Sequence, residues 1–237
     1  MQHNSSQTQN PKIRIVTKVL TTALKLWLKA QVSQVEQLEV EIKASDRQLL
    51  SGCIPFVSIF GSHAVYQGLH LTRIHMVAEN IRVNIGSVLK GQPLKLLETV
   101  PVVGELIQTE EDLNASLSST LLLSGLNDAL VQLLPEQKRK SKSVIWQKIN
   151  LDNSKVVLSA TLAQDNQPTY LEIGMGVELL SSHELRLQHI QVQSNTASSL
   201  EGIERELDFD LGSDVDIQEL TIHSGKLVCR GRINVNP

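Results

Sequence analysis

The chain has 237 residues, of which 41% are hydrophobic and only 3% aromatic, and its formal net charge at pH 7 is −3. The negative charge argues against a nucleic-acid-binding protein, which would usually carry a basic excess, and the few aromatic residues offer little surface for stacking single strands. We therefore expect an aliphatic core, and the length fits one large domain.

The N-terminal part of the chain combines a polar tail with an amphipathic segment. Residues 1–11 are predicted to be a disordered tail ahead of a single domain over residues 12–237. Apolar residues then recur at spacings of three and four, which predicts a helix from residue 12 to about residue 33. Its basic stripe could face an anionic membrane surface, or it could be a solvated face of a helix packed on a sheet. The predicted membrane contacts are Arg14, Lys18, Lys25, Trp27 and Lys29.

The same basic residues interrupt the most apolar early stretch, "IRIVTKVLTTALKLWLKA". A membrane-spanning helix needs a longer uninterrupted apolar run, and a signal peptide would need an uncharged apolar core followed by a cleavage site. The sequence therefore predicts neither element. The expected compartment is the cytoplasm, with peripheral membrane contact left open.

The first half of the domain then alternates between strand and turn signals. Leu38, Val40 and Ile42 alternate with charged residues, which predicts a half-buried strand. The stretch "ASDRQ" is predicted to be a turn, and "LLSGCIPFVSIF" an interrupted strand. Thr109 is a predicted helix N-cap with Asp112 three residues later, and it opens a leucine-rich helical region.

The second half is predicted to be mostly strand. The stretches "SVIWQKI", "KVVLSATLA", "TYLEIGMGVELL" and "LRLQHIQVQ" follow one another with polar turns between them. The stretch "TASSLEGIERELD" is predicted to be a helix with Leu207 on its apolar edge. The chain closes with a predicted hairpin of "VDIQELTI" and "KLVCRGRINV".

One apolar pattern occurs three times in these predicted strands: two apolar residues alternate, two polar residues come together, and alternation resumes. If all four apolar side chains face one side, each strand must absorb an extra residue as a β-bulge, which also bends the strand. The expected bulges lie at Thr72-Arg73, Gln188-His189 and Gln218-Glu219. Repeated bulges favour a long, strongly curved antiparallel sheet that wraps around something.

Candidate catalytic and metal-binding residues are few. His70 and His75 fall in the polar positions of the first copy, and no third ligand is placed to complete a metal site. Ser62 and His63 are neighbours in a strand and so should point to opposite faces. The acidic run 110–112 is better explained by a helix N-terminus. We expect no enzyme activity, no metal and no cofactor.

The two cysteines, Cys53 and Cys229, lie far apart in sequence and outside any zinc-binding spacing. They are interpreted as two small, apolar side chains in a reducing compartment, and a disulfide between them stays open.

The end of the chain, "LDFDLGSDVDIQELTIHSGKLVCRGRINVNP", resembles the C-terminal signature of the LmeA family of phospholipid-binding proteins. The stretches "VYQGLHLTRIHMVAENIRVN" and "GELIQTEEDLNASL" resemble its middle, and "VLTTALKLWLKAQV" looks like the N-terminal helix of its cyanobacterial branch. The resemblance implies an α+β fold, a TULIP-like tube in which a long, strongly curved antiparallel sheet wraps around the amphipathic helix and encloses an apolar channel for acyl chains. The channel would be lined by the three copies of the pattern: Leu69, Leu71, Ile74, Met76, Leu185, Leu187, Ile190, Val192, Val215, Ile217, Leu220 and Ile222.

Three functions compete at this point. The resemblance implies non-enzymatic binding, or transfer, of a phospholipid or another acyl lipid at an anionic membrane surface. A structural or scaffold protein with a solid core is the alternative, and a hydrolase using Ser62, His63 or the acidic run is the third. An empty apolar channel would favour the first function, a filled one the second, and a converging Ser, His and carboxylate the third.

Overall fold

The computed structural model describes residues 11–133, 143–163, 168–195 and 206–237. The helices are α1 (Pro11–Gln31), α2 (Asp46–Leu50), α3 (Ile85–Val88), α4 (Glu110–Ala115) and α5 (Thr120–Leu133), with a 3-10 turn at Ser116–Ser118. The strands are β1 (Gln37–Lys43), β2 (Cys53–Tyr66), β3 (Leu69–Arg82), β4 (Val100–Thr109), β5 (Ser143–Asp152), β6 (Lys155–Ala163), β7 (Thr169–Ser181), β8 (Glu184–Ser194), β9 (Leu207–Asp210), β10 (Val215–His223) and β11 (Lys226–Val235). The α+β class and the antiparallel pairing are confirmed.

The strands form two antiparallel sheets, where the sequence predicts one long, curved sheet. The larger sheet has the order β1-β2-β3-β4-β11-β10, and the smaller has the order β5-β6-β7-β8-β9. The chain leaves the larger sheet after β4, builds the smaller one, and returns for the final hairpin. Periodicity in one strand does not say which sheet that strand joins, because partner choice depends on contacts distant in sequence.

Each sheet has its own helix and its own apolar cluster. The α1 cluster packs Leu20 and Leu24 of α1 against the larger sheet, and α2 and α3 close it at one end of that sheet. The α5 cluster packs Leu130 and Leu133 of α5 against the smaller sheet. Ile222 of β10 belongs to the α5 cluster, so the last hairpin of the larger sheet contributes to the core of the smaller one.

Backbone hydrogen bonds join the two sheets at this hairpin. The amide of Ser154 donates to the carbonyl of Ile222 over 3.0 Å, and the amide of Gly225 donates to the carbonyl of Leu151 over 3.0 Å. Beside these bonds, the side chain of Asn114 of α4 accepts from the amide of Ile149 over 2.8 Å. Backbone groups of the smaller sheet thus find partners on the last hairpin and on α4, which fixes how the two layers meet.

The predicted helix signals are confirmed in part. The amide of Asp112 donates to the Thr109 hydroxyl over 3.2 Å, as expected of an N-cap. The predicted turn at 44–48 is wrong, because residues 46–50 form α2. The missed signal is a capping box: the Gln48 side chain accepts from the amide of Ser45 over 2.9 Å.

Several predictions fall wholly or partly outside the described residues. The tail at 1–10 and most of the predicted helix at 196–208 are among them. Leu207 itself is described, and it begins β9 instead of lying on a helix. It pairs with Leu187 of β8, so pairing with a long neighbouring strand outweighs the local helical pattern.

Two of the three expected bulges are present as register shifts. In β10, Ile217 faces Gly231 and Glu219 faces Arg230, so Gln218 is the extra residue. In β8, Gln191 faces Gly174 and Gln188 faces Gly176, so three steps on β8 oppose two on β7. His189 lies in this bulge with a φ of 52°, a left-handed conformation that bulges accommodate.

The third expected bulge, at Thr72-Arg73, is replaced by a different irregularity. Ser62 faces Arg73 and Ala64 faces Leu71, so the β2–β3 register does not shift. His63 has a φ of 45°, and it is not paired with Thr72. His63 of β2 and Thr72 of β3 are thus both left out of the β2–β3 hydrogen-bonded ladder. The residue pattern of β3 alone could not predict this, because half of the irregularity lies on β2.

Candidate lipid-binding cavity

A cavity of about 640 Å³ lies between α1 and the larger sheet. Its wall draws on the C-terminal half of α1, the segment that follows it, and β1, β2, β3, β4 and β11. The wall residues are almost all apolar, and no charged side chain is among those described: Leu24, Trp27, Leu28, Gln31, Val32, Val35, Leu38, Ile54, Val57, Ile59, Gly61, Ala64, Tyr66, Leu71, Ile74, Met76, Ala78, Ile81, Val83, Leu94, Leu96, Val100, Val102, Ile233, Val235 and Asn236.

The cavity follows the length of the β2–β3 hairpin. Its wall residues run from Ile54 to Tyr66 along β2, twelve residues apart, which is about 40 Å at the rise of an extended strand. The cavity is therefore elongated along the strands. Such a shape suits a long hydrocarbon chain better than a compact polar metabolite.

Two left-handed residues keep the apolar side chains on this wall. In β2 the wall positions change from odd to even numbers across His63, which has a φ of 45°. In β3 the change from Ala78 to Ile81 spans Asn80, which has a φ of 54°. Each irregularity changes the phase of alternation, so apolar residues on both sides of it face the same cavity.

Ionic groups lie on the opposite face of the larger sheet. Arg230 of β11 forms salt bridges of 2.6 Å with both Glu105 of β4 and Glu219 of β10. The hydrogen bond from this guanidinium lowers the pKa of Glu219 below its usual range. Since these charges are exposed and paired across strands, they belong to the solvated face and leave the cavity side apolar.

The predicted lining residues are divided between the two clusters. Leu71, Ile74 and Met76 lie in the cavity wall. Ile190, Val192 and Ile222 are buried in the α5 cluster, and Leu187 packs against it. The others are half-buried positions of β3, β8 and β10 outside this wall: Leu69, Leu185, Val215, Ile217 and Leu220. That all twelve contact one lipid stays a prediction.

The predicted membrane contacts on α1 are also divided. Lys18 and Lys29 are exposed and Lys25 is half-buried, whereas Trp27 is part of the cavity wall. The side chain of Arg14 lies outside those that the structure describes. The apolar side of α1 therefore faces the sheet, and its lysines remain available on the outside.

Sequence reasoning missed most of the wall. Two wall residues after β3, Leu94 and Leu96, lie in a stretch that could have been a helix or a loop. A signal was present in Asn84, whose side chain accepts from the amide of Lys95 over 2.8 Å and donates to the carbonyl of Pro93 over 3.0 Å. Asparagine commonly organises turns in this way, and here it folds residues 93–95 back onto the sheet.

Other candidate sites stay separate from the cavity. His63 lies 3.1 Å from Glu36 through its Nδ1, but within the described residues no hydrogen bond joins it to the hydroxyl of Ser62. His75 bonds Ser58 over 3.1 Å on the outer face. Among the described residues no three His, Cys, Asp or Glu side chains are placed to hold a metal ion.

The acidic run 110–112 and the cysteines have structural surroundings. Glu110 accepts from the amide of Leu151 over 2.8 Å, which ties α4 to the smaller sheet. Cys53 and Cys229 are free thiols, and partial burial raises the pKa of Cys229 because it disfavours the thiolate.

The described helices include none long and apolar enough to cross a membrane.

Comparison with curated proteins gives no match. Comparison with solved structures gives none either. The sequence model of one family, LmeA-like phospholipid-binding, matches residues 12–232, nearly the whole chain. By this match the chain belongs to the LmeA-like phospholipid-binding family.

Proposed function

We propose that the protein binds a phospholipid, or another acyl lipid, without catalysing a reaction on it. The acyl chains occupy the cavity between α1 and the larger sheet, and the head group stays at its exposed edge. The single observation that carries this proposal is the elongated cavity with a wall of aliphatic side chains. Family membership supports the same class of ligand.

The chemistry of the wall favours hydrocarbon over water or a polar ligand. A buried water needs two to four polar partners, and this wall offers few polar side chains, among them Gln31, Tyr66 and Asn236. A cavity of about 640 Å³ also lies within the range of small-molecule sites, roughly 300–1,000 Å³. Burying apolar ligand surface there is worth about 25 cal/mol per Å², so an acyl chain has a substantial gain on entry.

Peripheral contact with an anionic membrane is part of the proposal. The exposed side of α1 carries Lys18 and Lys29, with Lys25 half-buried beside them. Basic residues near an anionic surface contribute about 1 kcal/mol each, so these lysines would favour the approach of the protein to the bilayer. The curved, TULIP-like tube and transfer between membranes belong to this proposal as well.

A scaffold role is weaker, since the cavity leaves the α1 cluster unfilled, although the α5 cluster is packed in the way that a scaffold would need. A hydrolase is weaker still, because Ser62, His63 and the acidic run do not converge in the cavity wall.

The test is native mass spectrometry of the freshly purified protein, followed by organic extraction and identification of the lipids. We expect a phospholipid at close to one per chain. The variant Ala78→Trp should reduce its amount severalfold, because a large side chain at this wall position occupies the cavity.

Val77→Trp is the matched control, since Val77 is the adjacent residue of β3 and is not in the cavity wall. A wild-type protein free of lipid, even after incubation with phospholipid vesicles, would contradict the proposal. Equal lipid content in the two tryptophan variants would place the lipid elsewhere.

A further inference from the structure

Three exposed leucines lie at one end of the larger sheet. Leu50 ends α2, Leu89 follows α3, and Leu97 lies three residues before β4. Their exposed fractions are 58%, 48% and 58%. A single exposed leucine is ordinary on a protein surface, but three at one end of a sheet indicate an interaction site.

Hydrogen bonds hold the three segments together at this end. The amide of Val83 donates to the carbonyl of Gly52 over 2.9 Å, which joins the end of α2 to the end of β3. The amide of Leu97 donates to the carbonyl of Arg82 over 2.9 Å, which holds the segment after α3 against the same strand. The leucines are therefore carried by a fixed part of the fold.

Each exposed leucine directly follows an inward-facing residue. Leu49 and Val88 are buried in the α1 cluster, and Leu96 is in the cavity wall. The same short segments thus line the interior and present leucine outward, so the exposed leucines adjoin the cluster that contains the cavity.

Basic residues accompany the leucines. Arg47, Lys90 and Lys95 are exposed, and none has an ion-pair partner among the described residues. Arg186 and Arg230 differ from these three residues, because each binds two carboxylates. The end surface, defined as Leu50, Leu89, Leu97, Arg47, Lys90 and Lys95, thus combines apolar side chains with basic ones that form no ion pair within the described part of the chain.

The cavity reaches solvent beside this surface. Ile233 lines the cavity and is 45% exposed, and Asn236 lines it and is exposed. The hydroxyl of Thr99 donates to Asn236 over 2.9 Å, and Thr99 is two residues from Leu97. An exposed part of the cavity wall therefore borders the end surface.

We propose that the end surface docks on an anionic phospholipid bilayer and that lipid enters and leaves the cavity there, an inference that rests on the proposed lipid-binding function. The leucines insert among the acyl chains, and the basic side chains meet the phosphate groups of the lipids. This arrangement places the exposed cavity wall at the membrane. A lipid can then pass from bilayer to cavity with little exposure of its acyl chains to water, which limits the hydrophobic cost of transfer.

The experiment measures vesicle binding by sedimentation and phospholipid transfer with a fluorescent phospholipid, using vesicles of phosphatidylglycerol and phosphatidylcholine in equal parts. The test variant combines Leu50→Ser, Leu89→Ser and Leu97→Ser. The control variant combines Leu121→Ser, Val131→Ser and Ile145→Ser, which are 46%, 47% and 56% exposed and lie on α5 and β5. We expect the test variant to lose about tenfold or more in vesicle affinity and in transfer rate, and the control to keep both.

A second pair of variants tests the charge. Lys90→Gln with Lys95→Gln should weaken binding to the anionic vesicles severalfold and leave binding to pure phosphatidylcholine unchanged. Lys155→Gln with Lys226→Gln is its control, since both lysines are exposed at turns of other hairpins. Normal vesicle binding and transfer by the leucine variant, equal losses in test and control, or no effect of the Lys90 and Lys95 changes would overturn the proposal.

The outcome is separable from that of the proposed function. Lipid in the purified protein reports the cavity, whereas vesicle affinity reports the end surface. A wild-type protein that carries lipid but binds vesicles independently of the three leucines would leave the proposed function standing and reject the end surface. A protein that docks through the leucines but never carries lipid would leave the end surface standing and reject the proposed function.

Discussion

Leu71 and Ile74 lie three positions apart in one strand, and both are in the wall of the same cavity. In a regular strand, residues three apart point to opposite faces. The exception arises beside the unpaired residue Thr72, opposite His63 with its φ of 45°. The fold thus uses a local backbone irregularity to keep apolar residues on one side of a long hairpin.

Changing His63 should test whether this irregularity is needed. His63→Val should lower the free energy of unfolding by about 1–2 kcal/mol, because a β-branched residue disfavours the left-handed region. His63→Gly should be close to neutral or better, since glycine adopts this conformation without a steric cost. Urea unfolding of both variants measures the difference, and the comparison is matched because both lose the contact with Glu36. Equal free energies of unfolding for the two variants would show that residue 63 can leave the left-handed region at no cost.

The three pattern copies show how far the sequence predicts the fold. The bulge at Gln218 could be predicted, because alternation within β10 already reveals the extra residue. The matched irregularity at Thr72 could not, since its other half is His63 on a different strand. The pattern could not predict the division into two sheets either, because Ile190 and Ile74 occupy the same position of the pattern and yet Ile190 packs in the α5 cluster and Ile74 lines the cavity.

The cavity shows the same limit. Trp27 could be assigned to the edge of the apolar face of α1, but whether it meets a membrane or a cavity depends on what covers that face. Leu94 and Leu96 could not be assigned at all, since they lie outside regular elements and reach the wall through the bonds of Asn84.

The close crossing of the last hairpin gives a second stability prediction. A Cβ on Gly231 would lie 2.5 Å from the carbonyl oxygen of Asp216 and 2.8 Å from the Cα of Ile217, both backbone atoms beside the β10 bulge. Gly231→Ala should therefore destabilise the protein by roughly 1–3 kcal/mol, the usual cost of overpacking. Gly174→Ala is the control, because a Cβ there meets nothing within 4 Å. Thermal unfolding should give a lower melting temperature for Gly231→Ala than for Gly174→Ala. Equal melting temperatures would mean that β10 and β11 move apart at little cost to admit the added methyl group.

Val192 offers a test of the α5 cluster. It is buried in β8, so Val192→Asp should place an unpaired charge in an aliphatic core and unfold the smaller sheet. The free-energy cost of burying such a charge approaches the whole stability of a domain, about 5–15 kcal/mol. Gln193→Asp, one residue along and exposed, should leave folding unchanged. Val215→Asp should have a smaller effect than Val192→Asp, since Val215 is only half-buried. Circular dichroism and urea titration measure all three, and a folded Val192→Asp protein would contradict the assignment of Val192 to the core.

The two tryptophans allow the cavity to be distinguished from the membrane as the surroundings of α1. Trp27 lies in the cavity wall, whereas Trp146 is buried in the α5 cluster, where its Nε1 donates to Asn127 over 3.0 Å. A phospholipid with brominated acyl chains quenches tryptophan fluorescence on contact. Loading the protein with this lipid and then removing the vesicles should therefore quench Trp27 strongly and leave Trp146 unchanged. The variants Trp146→Phe and Trp27→Phe report the two emissions separately.

The same variants identify what Trp27 meets when vesicles are present. If Trp27 inserted into the bilayer, its quenching would need vesicles and would vanish when they are removed. If it lines an occupied cavity, the quenching stays with the isolated protein. The end-surface variant with its three serines adds a kinetic control, because slower entry of lipid should delay the quenching of Trp27 without changing its final extent. Quenching of Trp146 in the isolated protein would instead place acyl chains in the α5 cluster, and it would move the binding site to the smaller sheet.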